Sequence, residues 1–302
     1  MLTKGGKMFY RNIIGRPKEM VEPILKGSFV VFLVAVFCLG GGIADAGPLM
    51  DRIEGGKTIR LGFANEIPWA YPGDGNKPLG FANAITIGAL KEMGYENIEP
   101  VVTDWGGLIP GLKANRFDII TGGMYILKSR CENVSFSEPI GIFGDAFIVA
   151  KGNPKGLQNY QDIVKKGAVF VTGAGFNTVE AAKAEGVPDS KIMQVPGMSE
   201  ILAAVRSGRA DAGGLTYFSA LNLAKEAKDA IEVTNPSALP EKYLNWVGIG
   251  FRKEDPDFLK KFNAALESYL GSEEMLKNVK QYGYTKDQLP GDMKTEWVCT
   301  NR

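Results

Sequence analysis

The chain has 302 residues, 35 basic and 34 acidic side chains, a formal net charge of +1 and no histidine. This length permits a sizeable core divided between two lobes, and the balanced charge leaves no footprint for nucleic acid. Without histidine, Ser-His-Asp and Cys-His nucleophilic machinery and histidine-ligated metal are excluded, which counts against an enzyme; no metal or cofactor is expected.

Residues 28–39 form an apolar run preceded by Lys18 and Lys26 and followed by Gly40-Gly41-Gly42-Ile43-Ala44-Asp45-Ala46. Charge, apolar stretch and small-residue site in that order describe a secretory signal cleaved after Ala46. Residues 1–46 are therefore read as a signal peptide and the mature chain as periplasmic. The run falls short of the roughly 20 residues that span a membrane. An uncleaved anchor is one alternative. Lipidation of Cys38 is another, disfavoured by the bulky Phe37 before it. The stretch before Lys18 is long for a signal, so Met8 and Met20 are alternative starts.

Residues 57–64 alternate and read as a first strand. Asn65-Glu66-Ile67-Pro68-Trp69-Ala70-Tyr71-Pro72 follows as a loop whose prolines forbid a helix. Gly73-Asp74-Gly75-Asn76 is turn chemistry. Apolar residues at helical spacing over 81–93 predict a helix, 98–102 a second strand, 108–114 a helix and 117–121 a third strand. This order implies a parallel sheet with helices on its faces. Gly122-Gly123 then bare the backbone at the strand's end, where ligands of open α/β sheets sit. Arg130 offers a planar fork suited to a carboxylate, with a hinge salt bridge as its structural alternative.

The segment from Gly111 through Asp118, Gly122-Gly123-Met124-Tyr125 and Arg130 to Ser137-Glu138-Pro139 resembles the solute-binding proteins of bacterial polar amino-acid ABC importers. Within that family it is most similar to the ectoine/hydroxyectoine binders. The similarity rests on Asn65-Glu66-Ile67-Pro68-Trp69, Gly107-Leu108-Ile109-Pro110-Gly111-Leu112, an aromatic at Tyr125 and Arg130-Cys131-Glu132. The resemblance covers residues 56–300. It implies an α/β, two-lobed periplasmic-binding-protein fold of type II, with two hinge strands and a cleft that closes on ligand.

The rest of the chain fits that expectation. Residues 146–150 read as a strand crossing into a second lobe. Its strands are predicted at 168–172, 191–195, 210–215 and 231–234, and its helices at 179–185, 198–207 and 218–227. Residues 243–252 read as the strand crossing back, and 257–269 and 272–282 as C-terminal helices. Lobe 1 is assigned to 47–147 and 249–302, and lobe 2 to 148–248. Cleavage after Ala46 leaves Cys131 and Cys299, read as one disulfide in an oxidising compartment and otherwise as two buried thiols. The resembled family member has cysteines at matching positions.

The expected site gathers at strand ends. Arg130 holds a carboxylate and Glu66 a cationic group, with an exposed loop glutamate as the alternative. Trp69, Trp105 and Tyr125 follow the first three strands and form an aromatic wall suited to a cation, with core packing as the alternative. Gly123 lets the ligand approach. Phe143, Phe176 and Trp246 are read as structural. Thr172-Gly173-Ala174-Gly175-Phe176-Asn177-Thr178 lacks the Gly-Lys-Ser/Thr ending of a phosphate loop. Its following helix N-terminus favours an anion, with Asn177 or Thr178 as cap and second-lobe contact. Thr216 closes over the ligand.

Two positions depart from the family pattern: Thr178 stands where ectoine binders carry an acid, and no aspartate stands near Thr216 as in amino-acid binders. The expected partners are a small zwitterionic ligand, ectoine-like or an amino acid, and the transmembrane subunits of an ABC permease. The protein is expected to act as a monomer. The rival readings are a binder of another compatible solute and a periplasmic dehydratase of a cyclic acid with Glu66 as its acid.

Overall fold

The computed structural model describes residues 49–302; the predicted signal peptide, its alternative starts and Cys38 lie outside the described residues. Among the described residues no helix is long and apolar enough to cross a membrane.

The first part of the chain runs α1 (Leu49–Glu54), β1 (Ile59–Phe63), the short hairpin β2 (Tyr71–Pro72) and β3 (Pro78–Leu79), then α2 (Phe81–Glu92) and β4 (Ile98–Val102). It continues through α3 (Leu108–Lys113), β5 (Ile119–Tyr125), α4 (Lys128–Cys131), β6 (Ser135–Phe136) and β7 (Gly141–Phe143). The second part runs β8 (Asp145–Ala150), α5 (Tyr160–Lys165), β9 (Phe170–Gly173), α6 (Asn177–Ala184) and β10 (Ile192–Val195). It closes with α7 (Met198–Arg206), β11 (Ala212–Thr216), α8 (Tyr217–Ala227) and β12 (Ile231–Val233). The chain returns through β13 (Asn245–Phe251) to α9 (Pro256–Tyr269), α10 (Glu273–Val279) and α11 (Thr295–Asn301).

Two main sheets result, one per lobe, as expected of the type II fold, beside the two-stranded β2-β3 hairpin. The first has the order β4-β1-β5-β13-β6, with β7 also on β13; the second has the order β10-β9-β11-β8-β12. In each, three parallel strands meet an antiparallel crossing strand, β13 in the first and β8 in the second. Helices cover the faces with apolar stripes. In α2, Phe81, Ile85 and Ala89 are buried at four-residue spacing, and α9 buries Phe258, Phe262 and Leu266 in the same way. The crossings, at Phe143-Gly144-Asp145 and Tyr243-Leu244-Asn245, lie side by side because Asn245 pairs with Phe143.

The structure extends one predicted strand. The sequence reading ends the third strand at Thr121, whereas β5 continues to Tyr125. Gly123, at φ +75°, bends the backbone there, so that Met124 and Tyr125 pair with Gly248 and Val247 of β13. The bulge between Gly248 and Gly250 absorbs the register change. Helix α5 was not anticipated; its signal was Asn159, whose side chain caps it by accepting from the Asp162 N–H.

Cys131 on α4 and Cys299 on α11 are joined by a disulfide, with Cα atoms 5.8 Å apart. It pins the C-terminal helix beside the segment that carries Arg130. The bond spans 168 residues, so Cys299→Ser should destabilise the oxidised protein by about 4 kcal/mol. A urea titration reads this as a lower midpoint; an unchanged midpoint would contradict it.

Candidate functional site

The site is built from strand ends of both sheets. After β1 the chain makes a tight turn in which the Trp69 N–H donates to the Glu66 carbonyl at 2.7 Å, with a bridge between Glu66 and Ala70. Trp105 follows β4, Gly123 and Tyr125 lie on β5, and Arg130 lies on α4. The second lobe supplies Phe176 just before α6, Asn177 at its first position, and Thr216 at the end of β11. Together with Glu66 and Trp69 these residues line a nearly closed cavity of about 20 Å³, well below the roughly 300–1,000 Å³ usual for small-molecule sites, so that a solute enters only if the cavity opens. A larger cavity of about 450 Å³ follows the crossing strands, but no lysine or arginine lines it. The smaller one, with a guanidinium, a free carboxyl and an aromatic wall, has the chemistry of a recognition site.

The lobes touch across this cavity. The Trp69 Nε1–H donates to Thr216 Oγ1 at 2.9 Å, and the Trp105 Nε1–H donates to the Gly175 carbonyl at 3.0 Å. Arg130 donates to the Tyr125 carbonyl and to the Gly175 carbonyl, each at 3.0 Å. A guanidinium has five N–H groups, so three remain, enough for a paired grip on a carboxylate. Its carbon lies 5.6 Å from the Trp105 ring centre, within cation–π range. Trp69 is only 1% exposed. Its ring packs 4.7 Å from Phe81 and 4.6 Å from Phe143, centre to centre. A Cβ on Gly123 would sit 2.2 Å from the Trp69 ring, so the close approach requires glycine.

Glu66 is 6% exposed, and no side chain among the described residues bonds its carboxyl. Burial pushes its pKa up to about 8, against the pull of the Arg130 charge. Asp145, at the head of β8, is 2% exposed. It accepts from the Tyr125 hydroxyl at 3.2 Å and from the Asn177 amide at 2.5 Å. Burial raises its pKa to about 7; the hydrogen bonds from Asn177 and Tyr125 and the Arg130 charge act the other way. Burial lowers Arg130 to about 10, which still leaves it cationic at neutral pH.

Eight of the nine expected contacts, Glu66, Trp69, Trp105, Gly123, Tyr125, Arg130, Asn177 and Thr216, meet at this cavity. Thr178 does not. It is fully buried, and its hydroxyl is bonded to Thr172 and shared with the Gly214 carbonyl. Nor does Asn177 or Thr178 cap α6: Phe176 stands at the cap position with no side-chain bond, because both polar side chains have partners elsewhere. Phe176, read from sequence as structural, joins the wall, edge-on to Trp105 with ring centres 5.4 Å apart. Trp246 lies outside it, against Trp297 and Arg302. Asp145 was missed. Its signal was a carboxylate inside the apolar run from Phe143 to Val149, which a strand tolerates only with partners.

A family model for bacterial extracellular solute-binding proteins, family 3, matches residues 59–285. The chain is 33% identical to the probable amino-acid ABC transporter periplasmic-binding protein y4tE of Sinorhizobium fredii (strain NBRC 101917 / NGR234), over 83% of this chain and 86% of that protein. It is 28% identical to the L-cystine-binding protein TcyJ of Escherichia coli (strain K12), over 80% of this chain and 88% of that one. Its fold matches the crystal structure of EhuB in complex with hydroxyectoine, with a TM-score of 0.76 and 28% identity, over 84% of this chain and 98% of that chain.

The two raised carboxyls make a stability prediction. Each binds its proton more tightly folded than unfolded, so its contribution is present in full below the unfolded pKa. That contribution is lost as pH rises through about 7 for Asp145 and about 8 for Glu66. Without ligand, melting temperature should fall from pH 6 to pH 9. Glu66→Gln should flatten that fall by the equivalent of roughly 1–3 kcal/mol. Parallel curves for the two proteins would contradict the burial argument.

Proposed function

The chain belongs to the bacterial extracellular solute-binding proteins of family 3, and from that membership we propose that it captures a small zwitterionic solute in the periplasm and hands it to an ABC permease. The observation that carries the reading is the pairing of Arg130, with donors to spare, and Glu66, buried without a partner, across a small aromatic-walled cavity. Arg130 takes the carboxylate and Glu66 the cationic end. Trp69, Trp105, Tyr125 and Phe176 cover the faces between, and Asn177 and Thr216 close the lid. The ligand we favour is ectoine or hydroxyectoine, whose positive charge is spread over a ring and suits aromatic faces. The fold match to EhuB bound to hydroxyectoine supports this. Thr178 does not weaken it, since that side chain points elsewhere. An amino acid is the second ligand class, supported by the similarity to y4tE and to the cystine-binding TcyJ.

The test is calorimetric titration of the ligand-free protein with ectoine, hydroxyectoine, glycine betaine and a panel of amino acids. Ectoine should bind, and Arg130→Ala should weaken it by roughly 100-fold, the loss expected for a charge-assisted pair. Trp69→Phe probes the wall better than Trp69→Ala, which would cost about 3–5 kcal/mol of folding stability at a buried site. Binding of an amino acid alone would select the second class; silence across the panel would overturn the reading.

A further inference from the structure

Asp145 is the buried carboxylate that the ligand reading leaves unused. It does not line the small cavity. It stands behind Tyr125 and Asn177, which do, and it takes a hydrogen from each. An ionised carboxylate only accepts, so Asp145 dictates which way its two neighbours face. The Tyr125 hydroxyl spends its single hydrogen on Asp145 and keeps only lone pairs for the cavity. The Asn177 amide turns its nitrogen to Asp145, which leaves its carbonyl oxygen and one hydrogen.

The other lining groups are committed in the same sense. The Trp69 and Trp105 ring N–H groups donate to Thr216 Oγ1 and to the Gly175 carbonyl. Thr216 Oγ1 donates its own hydrogen to Ser219 Oγ at 2.9 Å. Once Glu66 is ionised, the free side-chain donors around the cavity therefore reduce to Arg130 and one Asn177 hydrogen. Against them stand the Glu66 carboxyl, the Tyr125 oxygen and the Asn177 oxygen, all able to accept.

We propose that Asp145 is a specificity-determining positioning residue that fixes Tyr125 and Asn177 as acceptors, so that the cleft selects cations bearing N–H groups over quaternary, fully methylated ones. The inference rests on the zwitterion reading above and refines it. Glu66 attracts either kind of cation by charge. Only a cation with N–H groups satisfies the oxygens that Asp145 turns inward, and a trimethylammonium would leave them buried and unpaired.

The groups facing Asp145 are Tyr125 on β5, Arg130 on α4, Asn177 on α6 and Tyr160 on α5; on its other side it borders the larger cavity, which Tyr217, Glu241 and Tyr243 also line. Burial keeps Tyr125 and Tyr160 protonated, and Arg130 keeps its charge at about 10. Between pH 6 and pH 8 Asp145 is therefore the member of this group that titrates, near 7. Once protonated it can donate, and its hold on the orientation of Asn177 is released. Glu66 titrates nearby, but it acts on both kinds of ligand by charge.

The experiment titrates wild type and Asp145→Asn with ectoine, which carries N–H groups on its cationic ring, and with glycine betaine, which carries none. At pH 8 the wild type should favour ectoine strongly, and Asp145→Asn should reduce that preference roughly 10-fold, the value of one well-made hydrogen bond to a charged group. The wild-type preference should shrink as pH falls from 8 to 6, while that of the variant stays flat. An unchanged ratio and pH profile in Asp145→Asn would overturn the inference while leaving the zwitterion reading intact. Wild-type binding of neither solute would overturn the inference, and the zwitterion reading falls with it only if the amino-acid panel is silent as well. Should Asp145→Asn fail to fold by circular dichroism, Asn177→Ala serves, since it removes one of the oriented acceptors while keeping the Asp145 carboxyl, at the loss of one hydrogen bond to it. The preference must drop there too, and a ratio equal to wild type would overturn the proposal.

Discussion

Arg130 carries a full charge into the seam between two lobes, where 8% of its surface remains exposed. A guanidinium so placed costs several kcal/mol unless its hydrogens and its charge are answered. The surrounding chain answers only part. Two carbonyls, one from each lobe, take one hydrogen each, and the Trp105 face lies against the plane. What remains is a directional demand for an anion, and the cavity beside it is where that demand can be met. The disulfide between Cys131 and Cys299 anchors the short helix that holds the arginine.

The same seam explains how the lobes come together. Trp69 to Thr216, Trp105 to Gly175 and Arg130 to Gly175 each join one sheet to the other. Individually such bonds contribute about 1 kcal/mol, too little to hold the lobes shut against the burial of Glu66 and Asp145. On the proposed reading, a ligand that neutralises Glu66 and fills the remaining hydrogens of Arg130 would add what the protein alone lacks, and closure would follow from its preference for the closed arrangement, as population shift requires. Paired crossings beside Gly144 provide a place for the movement, because few other backbone connections run between the sheets.

Much of this was legible before any coordinates. The alternation of apolar runs with amphipathic stretches fixes two parallel-centred sheets, and polar residues just past strand ends point to the cleft. Arg130, Glu66, Trp69, Trp105, Tyr125, Asn177 and Thr216 were all reachable that way. What escaped had long-range causes. The continuation of β5 through Gly122-Gly123 depends on pairing with β13, more than 120 residues away in sequence. Thr178 looked like a contact because it sits at a helix start. Its hydroxyl instead meets Thr172 on the preceding strand and the Gly214 carbonyl on β11, the latter a partner that local pattern does not encode. Asp145 was passed over because it stands just before the strand read at 146–150; its partners come from β5 and α6.

In the proposed site Glu66 is a protonated, unpartnered acid while the cleft is ligand-free, and it ionises when a cation arrives. Counting protons tests this most directly. Ectoine would be titrated at pH 7 and at pH 9.5 in pairs of buffers with different ionisation enthalpies. The account predicts release of about one proton per ligand bound at pH 7, because the Glu66 pKa near 8 must drop on pairing. The release should dwindle at pH 9.5, where the acid is already ionised. Binding with no proton release at either pH would contradict Glu66 as the partner of the ligand's positive charge.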